Sequence, residues 1–162
     1  MTDYPVNPAV KPSVEAFFDE DSNTISYVVK DPATDACAIV DCVLDLDYAA
    51  GRTGTTQADK IIAFVEREHL NCQWLIETHV HADHLSAAPY IKSRLGGQIG
   101  IGQNIRVVQE TFGEVFAEGS DFARDGSQFD HLFGDGETYQ VGDMRCVAIA
   151  APGHTPACMV HV

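Results

Sequence analysis

Three histidines and one aspartate lie within six consecutive positions of this sequence, and both residue types bind transition metals. They are His79, His81, Asp83 and His84, and a further histidine, His154, follows in a Pro-Gly-His-Thr segment. Neutral imidazole and carboxylate are the usual protein ligands of zinc and of non-haem iron. A His-x-His-x-Asp-His pattern supplies two ligand pairs, which can serve two adjacent ions. We therefore predict a metal centre that uses these five residues.

Both parts of this pattern follow predicted strands, which would bring them together in space. Residues 72–78 are typical of a strand that ends directly before His79, and a predicted strand at residues 144–150 leads towards His154. Ligands in open α/β sheets gather beyond the carboxyl ends of the strands. His79 and His81 stand two positions apart in a predicted extended turn, so their side chains can point to the same side.

The remaining chain alternates predicted strands and helices, as in an α/β domain. Predicted strands cover residues 14–18, 24–30, 37–43, 98–102 and 138–141, and predicted helices cover residues 56–70, 83–95 and 104–116. Thr56 and Asp59 resemble a capping box at the start of the first helix. Asp83 and His84 are expected near the start of the second, where the helix dipole favours a carboxylate. The third helix carries an apolar stripe, assigned to the protein core, that consists of Ile105, Val108, Phe112 and Val115.

Asp41 interrupts the apolar run at residues 37–43, which is typical of a strand buried on both faces. A single carboxylate is costly to bury unless it has a partner. Asp41 therefore either supports the metal site from behind or ends the strand facing water, and the sequence leaves both interpretations open. We assign His69 to a helix end and His131 to the polar surface. Residues 118–130 are predicted to form a mobile loop that can act as a lid.

The spacing of the histidine cluster and the Pro-Gly-His-Thr segment resembles that of the metallo-β-lactamase superfamily. Residues 77–86, Glu-Thr-His-Val-His-Ala-Asp-His-Leu-Ser, are most similar to its persulfide dioxygenase branch, a relative of the glyoxalase II hydrolases. The resemblance implies an α/β fold, the αβ/βα four-layer sandwich, of which mainly the N-terminal half is expected here. Residues 1–162 would then form a single, incomplete domain of this kind.

The resemblance to persulfide dioxygenases also implies a reaction. These enzymes hold one Fe(II) with two histidines and one aspartate, and they use O₂ to oxidise glutathione persulfide to sulfite in sulfide detoxification. Carried over to this chain, the iron ligands are His79 and His154. His81, Asp83 and His84 then stand behind the ligands or handle protons, so Asp83 and His84 are the expected catalytic residues.

Two alternatives to the dioxygenase remain open. In the two-metal Zn²⁺ hydrolases of the superfamily, similar to glyoxalase II, His81, Asp83 and His84 bind metal directly, and the substrate is a thioester. The third iron ligand of the dioxygenases is an aspartate on a later strand, and no carboxylate follows His154 in this sequence. We therefore expect an incomplete version of a longer enzyme, with an inactive truncated domain as the second alternative.

The composition excludes several other classes of protein. The formal net charge is −14, from 24 acidic and 10 basic residues, which disfavours the phosphate contacts of a nucleic-acid-binding protein. No apolar run approaches the roughly 20 residues of a membrane-spanning helix, and the N-terminus lacks the apolar core of a signal peptide. The five cysteines include no Cys-x-x-Cys pair, which fits a reducing compartment. We expect a cytoplasmic enzyme that acts on a small persulfide, with a homo-oligomer as a possible assembly.

Overall fold

The computed structural model describes residue 7, residues 9–116, residue 119 and residues 122–162. Its strands are β1 (Ser13–Asp19), β2 (Thr24–Lys30), β3 (Ala36–Val40), β4 (Val43–Asp47), β5 (Arg52–Gly54), β6 (Asn71–Ile76), β7 (Leu85–Ser86), β8 (Gln98–Gly102), β9 (His131–Phe133), β10 (Glu137–Val141), β11 (Met144–Ala150) and β12 (Met159–His161). Its helices are α1 (Thr56–Arg67), α2 (Ala88–Leu95) and α3 (Ile105–Val115). In the part of the chain that the structure describes, no helix combines the length and the apolar character needed to cross a bilayer.

The largest sheet has six strands in the order β1-β2-β3-β6-β8-β9. Its first three strands are antiparallel neighbours, whereas β3, β6, β8 and β9 run parallel to one another. The carboxyl ends of the parallel strands therefore lie at one edge of the sheet. Two antiparallel three-stranded sheets accompany it, β10-β11-β12 and β5-β4-β7.

The central strand β3 shows how the layers are arranged, because its side chains alternate between two apolar clusters. Cys37 and Ile39 pack in the cluster that includes the buried residues of α1 and α2. Ala36 and Ala38 pack on the opposite face, against Val141 and other residues of the sheet β10-β11-β12. Since successive side chains of a strand point to opposite faces, a strand buried on both sides must be apolar throughout. The large sheet thus lies between a layer of helices and the second sheet, as expected for this part of an αβ/βα sandwich.

The apolar stripe of helix α3 that was predicted to be core is only partly buried. Ile105 and Val108 are buried as expected, but Phe112 is 51% exposed and Val115 is 68% exposed. Gln109 occupies part of the buried face instead, and its Oε1 accepts a hydrogen bond of 3.0 Å from the backbone N–H of Gly126. Apolar periodicity could not reveal this, because the buried face of the helix includes a polar side chain that pairs with a distant loop.

The chain also departs from the predicted boundaries around Asp41 and α2. Asp41 has a φ of 50°, in the left-handed region, so the apolar run forms two strands, β3 and β4, instead of one. Leu85 and Ser86 pair with β4 as strand β7, and α2 begins only at Ala88. Asp83 and His84 therefore precede the helix by several residues. Pro89 in the first turn of α2 is the sequence signal that marks this start.

The start of α1 is capped differently from the prediction. No side-chain capping bond is made by Thr55 at the N-cap, and the predicted pair of Thr56 and Asp59 does not form a capping box. The carboxylate of Asp45 instead accepts hydrogen bonds from the backbone N–H groups of Thr56, over 2.7 Å, and Gln57, over 3.0 Å. Burial alone would raise the pKa of Asp45, but these hydrogen bonds outweigh burial and hold it below its ordinary value.

Three further predictions concern residues away from the histidine cluster. His69 follows the end of α1 and donates its backbone N–H to Glu66, which confirms the assignment to a helix end. His131 is half-buried on β9 and not on the polar surface, with its Nε2 2.6 Å from Glu137 Oε1. The predicted lid at residues 118–130 lies partly outside the described residues, so the structure leaves it as a prediction.

Candidate metal centre

The two halves of the histidine pattern meet where the large sheet contacts β12. Residues 77–81 leave the carboxyl end of β6, and His154 lies in the loop between β11 and β12. The carbonyl of Thr78 accepts a hydrogen bond of 2.9 Å from the backbone N–H of Met159, the first residue of β12. The prediction that both segments follow strands and approach each other is confirmed by this arrangement.

Four imidazole rings form a continuous row. The ring centroids of His79 and His81 are 4.0 Å apart, those of His81 and His84 are 4.1 Å apart, and those of His79 and His154 are 4.9 Å apart. Next to this row lies a surface cavity of about 620 Å³, lined by Thr24, His79, His81, Ala82, Asp83 and His154. The five predicted site residues are therefore neighbours in space, and their assignment as metal ligands remains a prediction.

Asp83 stands at the mouth of the cavity and is held from two sides. Its carboxylate is 56% exposed, and Oδ2 accepts a hydrogen bond of 3.1 Å from the hydroxyl of Thr24. The hydroxyl of Tyr48 donates to the backbone carbonyl of Asp83 over 3.1 Å. The other carboxylate oxygen lies 4.0 Å from Nδ1 of His81. Sequence reasoning missed Thr24 and Tyr48, since both belong to segments far from the histidine pattern.

His84 provides a test of whether these residues suit a metal ion. Its side chain is 1% exposed, and its Nδ1 lies 3.3 Å from the Thr24 hydroxyl. Its Nε2 is buried and has no hydrogen-bond partner among the described residues. A buried polar atom without a partner is costly, and a metal ion would satisfy this one. The donor atoms offered by His81, Asp83 and His84 all lie within 4.8 Å of one another, so the residues fit a transition metal.

Asp41 supports the site from behind. Its carboxylate accepts hydrogen bonds of 2.8 Å from both the backbone N–H and the hydroxyl of Thr78, and Oδ1 lies 3.1 Å from Nε2 of His81. Of the two interpretations that the sequence left open, the structure favours the supporting one. Burial would raise the pKa of Asp41, but its bonds to His81 and Thr78 outweigh burial and hold the pKa below its ordinary value.

The pKa values of His79 and His81 are shifted in opposite directions by their surroundings. Burial lowers the pKa of His79, and the neighbouring His81 lowers it further, which favours the neutral form that binds metals. Burial also lowers the pKa of His81, but the hydrogen bond to Asp41 and the nearby carboxylate of Glu77 outweigh burial and raise the pKa to about 9. A metal ion that binds to His81 must therefore displace a proton at neutral pH.

The family of the chain follows from its match to a sequence model. Residues 20–161 match the model of the metallo-beta-lactamase superfamily, a span that includes the whole histidine pattern. The chain belongs to this superfamily. A protein described as a probable metallo-hydrolase of Burkholderia pseudomallei is 52% identical over 93% of this chain and 51% of its own length. The fold and the family expected from the sequence are thus confirmed.

More distant similarities were found to proteins described as persulfide dioxygenases. The mitochondrial persulfide dioxygenase ETHE1 of Bos taurus is 26% identical over 90% of this chain and 45% of its own length. The crystal structure of ETHE1 from Myxococcus xanthus superimposes with a TM-score of 0.66 and 23% identity, over 93% of this chain and 53% of that chain. The chain spans about half the length of these relatives.

Proposed function

We propose that the chain carries the metal-binding part of a persulfide dioxygenase, which uses Fe(II) and O₂ to oxidise glutathione persulfide to sulfite. The observation that carries this proposal is the edge-to-face pair of His79 and His154, brought from two different sheets to one open cavity. Two imidazoles at an open cavity leave room for both O₂ and a sulfur substrate at the same ion. The similarity to ETHE1 supports the same assignment.

Each side chain of the site has a role in this proposal. His79 and His154 would hold the iron, which supplies the binding and activation of O₂ when it is present. Thr78 places its hydroxyl 3.0 Å from Nδ1 of His79 and so fixes the orientation of that ring. Asp83 handles protons at the mouth of the cavity, with the buried His84 behind it as its proton-handling partner, and the hydroxyl of Thr24 contacts both side chains.

A zinc-dependent thioester hydrolase is the second candidate function. The close grouping of the donor atoms of His81, Asp83 and His84 favours it, because these residues can hold an ion of their own. Metal-bound water is a strong nucleophile at neutral pH, and this is the chemistry that such hydrolases need. The similarity to a probable metallo-hydrolase supports this candidate.

Metal uptake and turnover together separate the candidates. The chain is loaded with Fe(II) or with Zn²⁺, and each form is given glutathione persulfide with O₂ and, separately, a glutathione thioester. About one iron per chain with O₂ consumption and sulfite release supports the dioxygenase. Thioester cleavage by the zinc form without O₂ consumption contradicts it, and failure to retain either metal indicates an inactive domain. His69→Gln, before the start of β6 and so at the opposite end of that strand from His79, is the matched control and should behave like the wild type.

The cysteines bear on the compartment in which the proposed reaction takes place. The cysteines Cys37, Cys42, Cys72, Cys146 and Cys158 are all free thiols. Free thiols persist in a reducing compartment, which is also where glutathione is kept reduced. A cytoplasmic enzyme with small thiol-derived substrates is consistent with these cysteines.

A further inference from the structure

Glu77 is a buried carboxylate next to the predicted metal ligands, and the proposed mechanism does not use it. It is only 4% exposed. The hydroxyl of Ser86 donates a hydrogen bond to its Oε1. Its Oε2 makes no hydrogen bond among the described residues and lies 3.5 Å from Nε2 of His81. Because burying a carboxylate is costly, a carboxylate kept at this position requires an explanation.

The explanation lies in the orientation of the His81 ring. Asp41 Oδ1 and Glu77 Oε2 approach the same ring nitrogen, Nε2, from 3.1 Å and 3.5 Å. Both carboxylates only accept hydrogen bonds, so Nε2 must carry a proton. The opposite nitrogen, Nδ1, faces the cluster and lies 4.0 Å from Asp83 Oδ1. Histidines that bind metals commonly donate their second N–H to a carboxylate, which fixes the ring and its tautomer.

We infer that Glu77 is a positioning residue, which together with Asp41 keeps the Nε2 proton of His81 on the buried side so that Nδ1 faces the metal. This inference rests on the second candidate of the proposed function, in which His81, Asp83 and His84 hold an ion of their own. It adds a residue to that centre without a change in the assigned ligands. The role requires an acceptor at position 77 and does not require Glu77 to touch substrate.

Glu77 suits this role because both ends of the residue are fixed. Its backbone N–H donates to the carbonyl of Gly100 over 2.9 Å, which ties it to β8. Ser86, which holds the other end, accepts a hydrogen bond of 3.0 Å from the backbone N–H of Ala88 at the start of α2. The carboxylate therefore sits at a set position between two elements, whereas a single bond from Asp41 would still allow the ring of His81 to turn about that bond.

A separate cation site behind the ring is the competing explanation. Asp41, Glu77 and His81 offer donor atoms that lie within 4.8 Å of one another. However, Asp41 already uses its oxygens to accept bonds from Thr78 and His81. The hydrogen bonds thus account for the grouping of Asp41 and His81. The carboxylate of Glu77 is oriented towards the same proton, the one on Nε2 of His81.

The test measures the His81 ring in the zinc-loaded chain. Long-range ¹H–¹⁵N correlation spectra report which ring nitrogen binds Zn²⁺ and which carries a proton, and chelator competition reports the Kd. In the wild type we expect Nδ1 bound to zinc and a slowly exchanging proton on Nε2. Glu77→Leu should lose the protection of that proton and weaken Zn²⁺ binding by about 10- to 100-fold. Glu77→Gln, which can still present an acceptor, should stay within roughly threefold of the wild type.

The controls separate positioning from a general loss of structure. Ser86→Ala removes the anchor but leaves the acceptor, so it should bind Zn²⁺ more like Glu77→Gln than like Glu77→Leu. If Glu77→Leu folds and binds Zn²⁺ as the wild type does, with the Nε2 proton still protected, the inference is wrong. If Glu77→Leu does not fold, the inference is tested by the wild-type spectrum, which reports the nitrogen of His81 that binds Zn²⁺ and the nitrogen that carries the proton.

The wild-type spectrum also distinguishes this inference from the proposed function. Zinc on Nε2 of His81, or a second zinc held between Asp41 and Glu77, would overturn the inference while the metal centre stands. Absence of zinc uptake by the wild type would overturn the inference together with the zinc-dependent candidate, whereas uptake of iron tests the dioxygenase separately.

Discussion

Thr24 and Asp83 are joined by a hydrogen bond between side chains that are 59 residues apart in sequence. The hydroxyl of Thr24 donates to Oδ2 of Asp83 over 3.1 Å, and it also lies 3.3 Å from Nδ1 of His84. Thr24 is the first residue of β2, at the end of the β1–β2 hairpin. The hairpin therefore takes part in the site, although its own sequence contains no metal-binding residue pattern.

Loss of the Thr24 hydroxyl should weaken the site without disturbing the fold. Thr24→Val keeps the shape of the side chain but leaves Asp83 without its donor, so we expect metal affinity to fall by about tenfold. Stability should change by less than about 1 kcal/mol, because the lost hydrogen bond is partly exposed. Chelator competition and urea unfolding measure the two quantities. Thr24→Ser retains the hydroxyl and should restore affinity, and equal affinity of the valine variant and the wild type would contradict the assigned role.

Asp41→Asn tests the support behind His81 with little effect on the backbone. Asparagine adopts the left-handed region readily, so the φ of 50° at this position can be retained. The amide, however, places a donor where Thr78 and His81 require acceptors, and we expect a loss of about 1–3 kcal/mol in the free energy of unfolding. Denaturant unfolding of the metal-free chain measures this. Asp35→Asn, on an exposed aspartate, is the matched control and should stay within about 0.5 kcal/mol of the wild type.

His161 should make the stability of the chain depend on pH. Burial lowers the pKa of His161 from 6.5 to about 4, and its Nε2 has no hydrogen-bond partner among the described residues. Between these values the unfolded chain binds a proton that the folded chain excludes. The contribution of the neutral ring to the free energy of unfolding is therefore complete above pH 6.5. It is lost as the pH falls towards 4, which lowers the free energy of unfolding by up to about 3 kcal/mol.

The pH dependence of His161 is isolated by comparison with a variant. His161→Gln removes the titrating group, so its unfolding free energy should fall less steeply than that of the wild type between pH 6.5 and pH 4. Urea denaturation at several pH values gives both curves. Parallel curves for the two proteins would show that His161 takes up its proton equally well in the folded state.

A pair of substitutions in α3 tests which part of its apolar stripe is core. Ile105 is 2% exposed, and Ile105→Ala should cost about 2–5 kcal/mol of stability, because it leaves a cavity. Val115 is 68% exposed, and Val115→Ala should stay within about 0.5 kcal/mol of the wild type. Unfolding in urea measures both. Similar losses at the two positions would support the stripe expected from the sequence and contradict the structure.

The sequence predicted the parts of the site that depend on local patterns. The apolar run before His79 predicted a strand, and β6 delivers His79 to the edge where parallel strands end. The sequence also predicted β2, β8 and β11 with the boundaries that the structure has. Local hydrophobic patterns determine such elements, since the run or alternation of apolar residues is a property of each segment by itself.

The remaining features depend on contacts between distant segments. Asp41 adopts a left-handed conformation and binds Thr78 and His81, which no pattern within residues 37–43 could indicate. Tyr48 reaches the carbonyl of Asp83 from the segment between β4 and β5. Bonds of this kind form after the elements have packed, so they are absent from periodicity and spacing.

The bond between Thr78 and Met159 places the candidate metal centre across two layers of the fold. His79 extends from the large sheet, His154 precedes β12 of the second sheet, and this bond joins the two sheets beside them. An ion held by both histidines would link the two sheets. At a concentration 1,000-fold above its Kd, the ion would stabilise the folded chain by about 4 kcal/mol. Removal of the metal would then loosen the attachment of one sheet to the other as well as remove the chemistry.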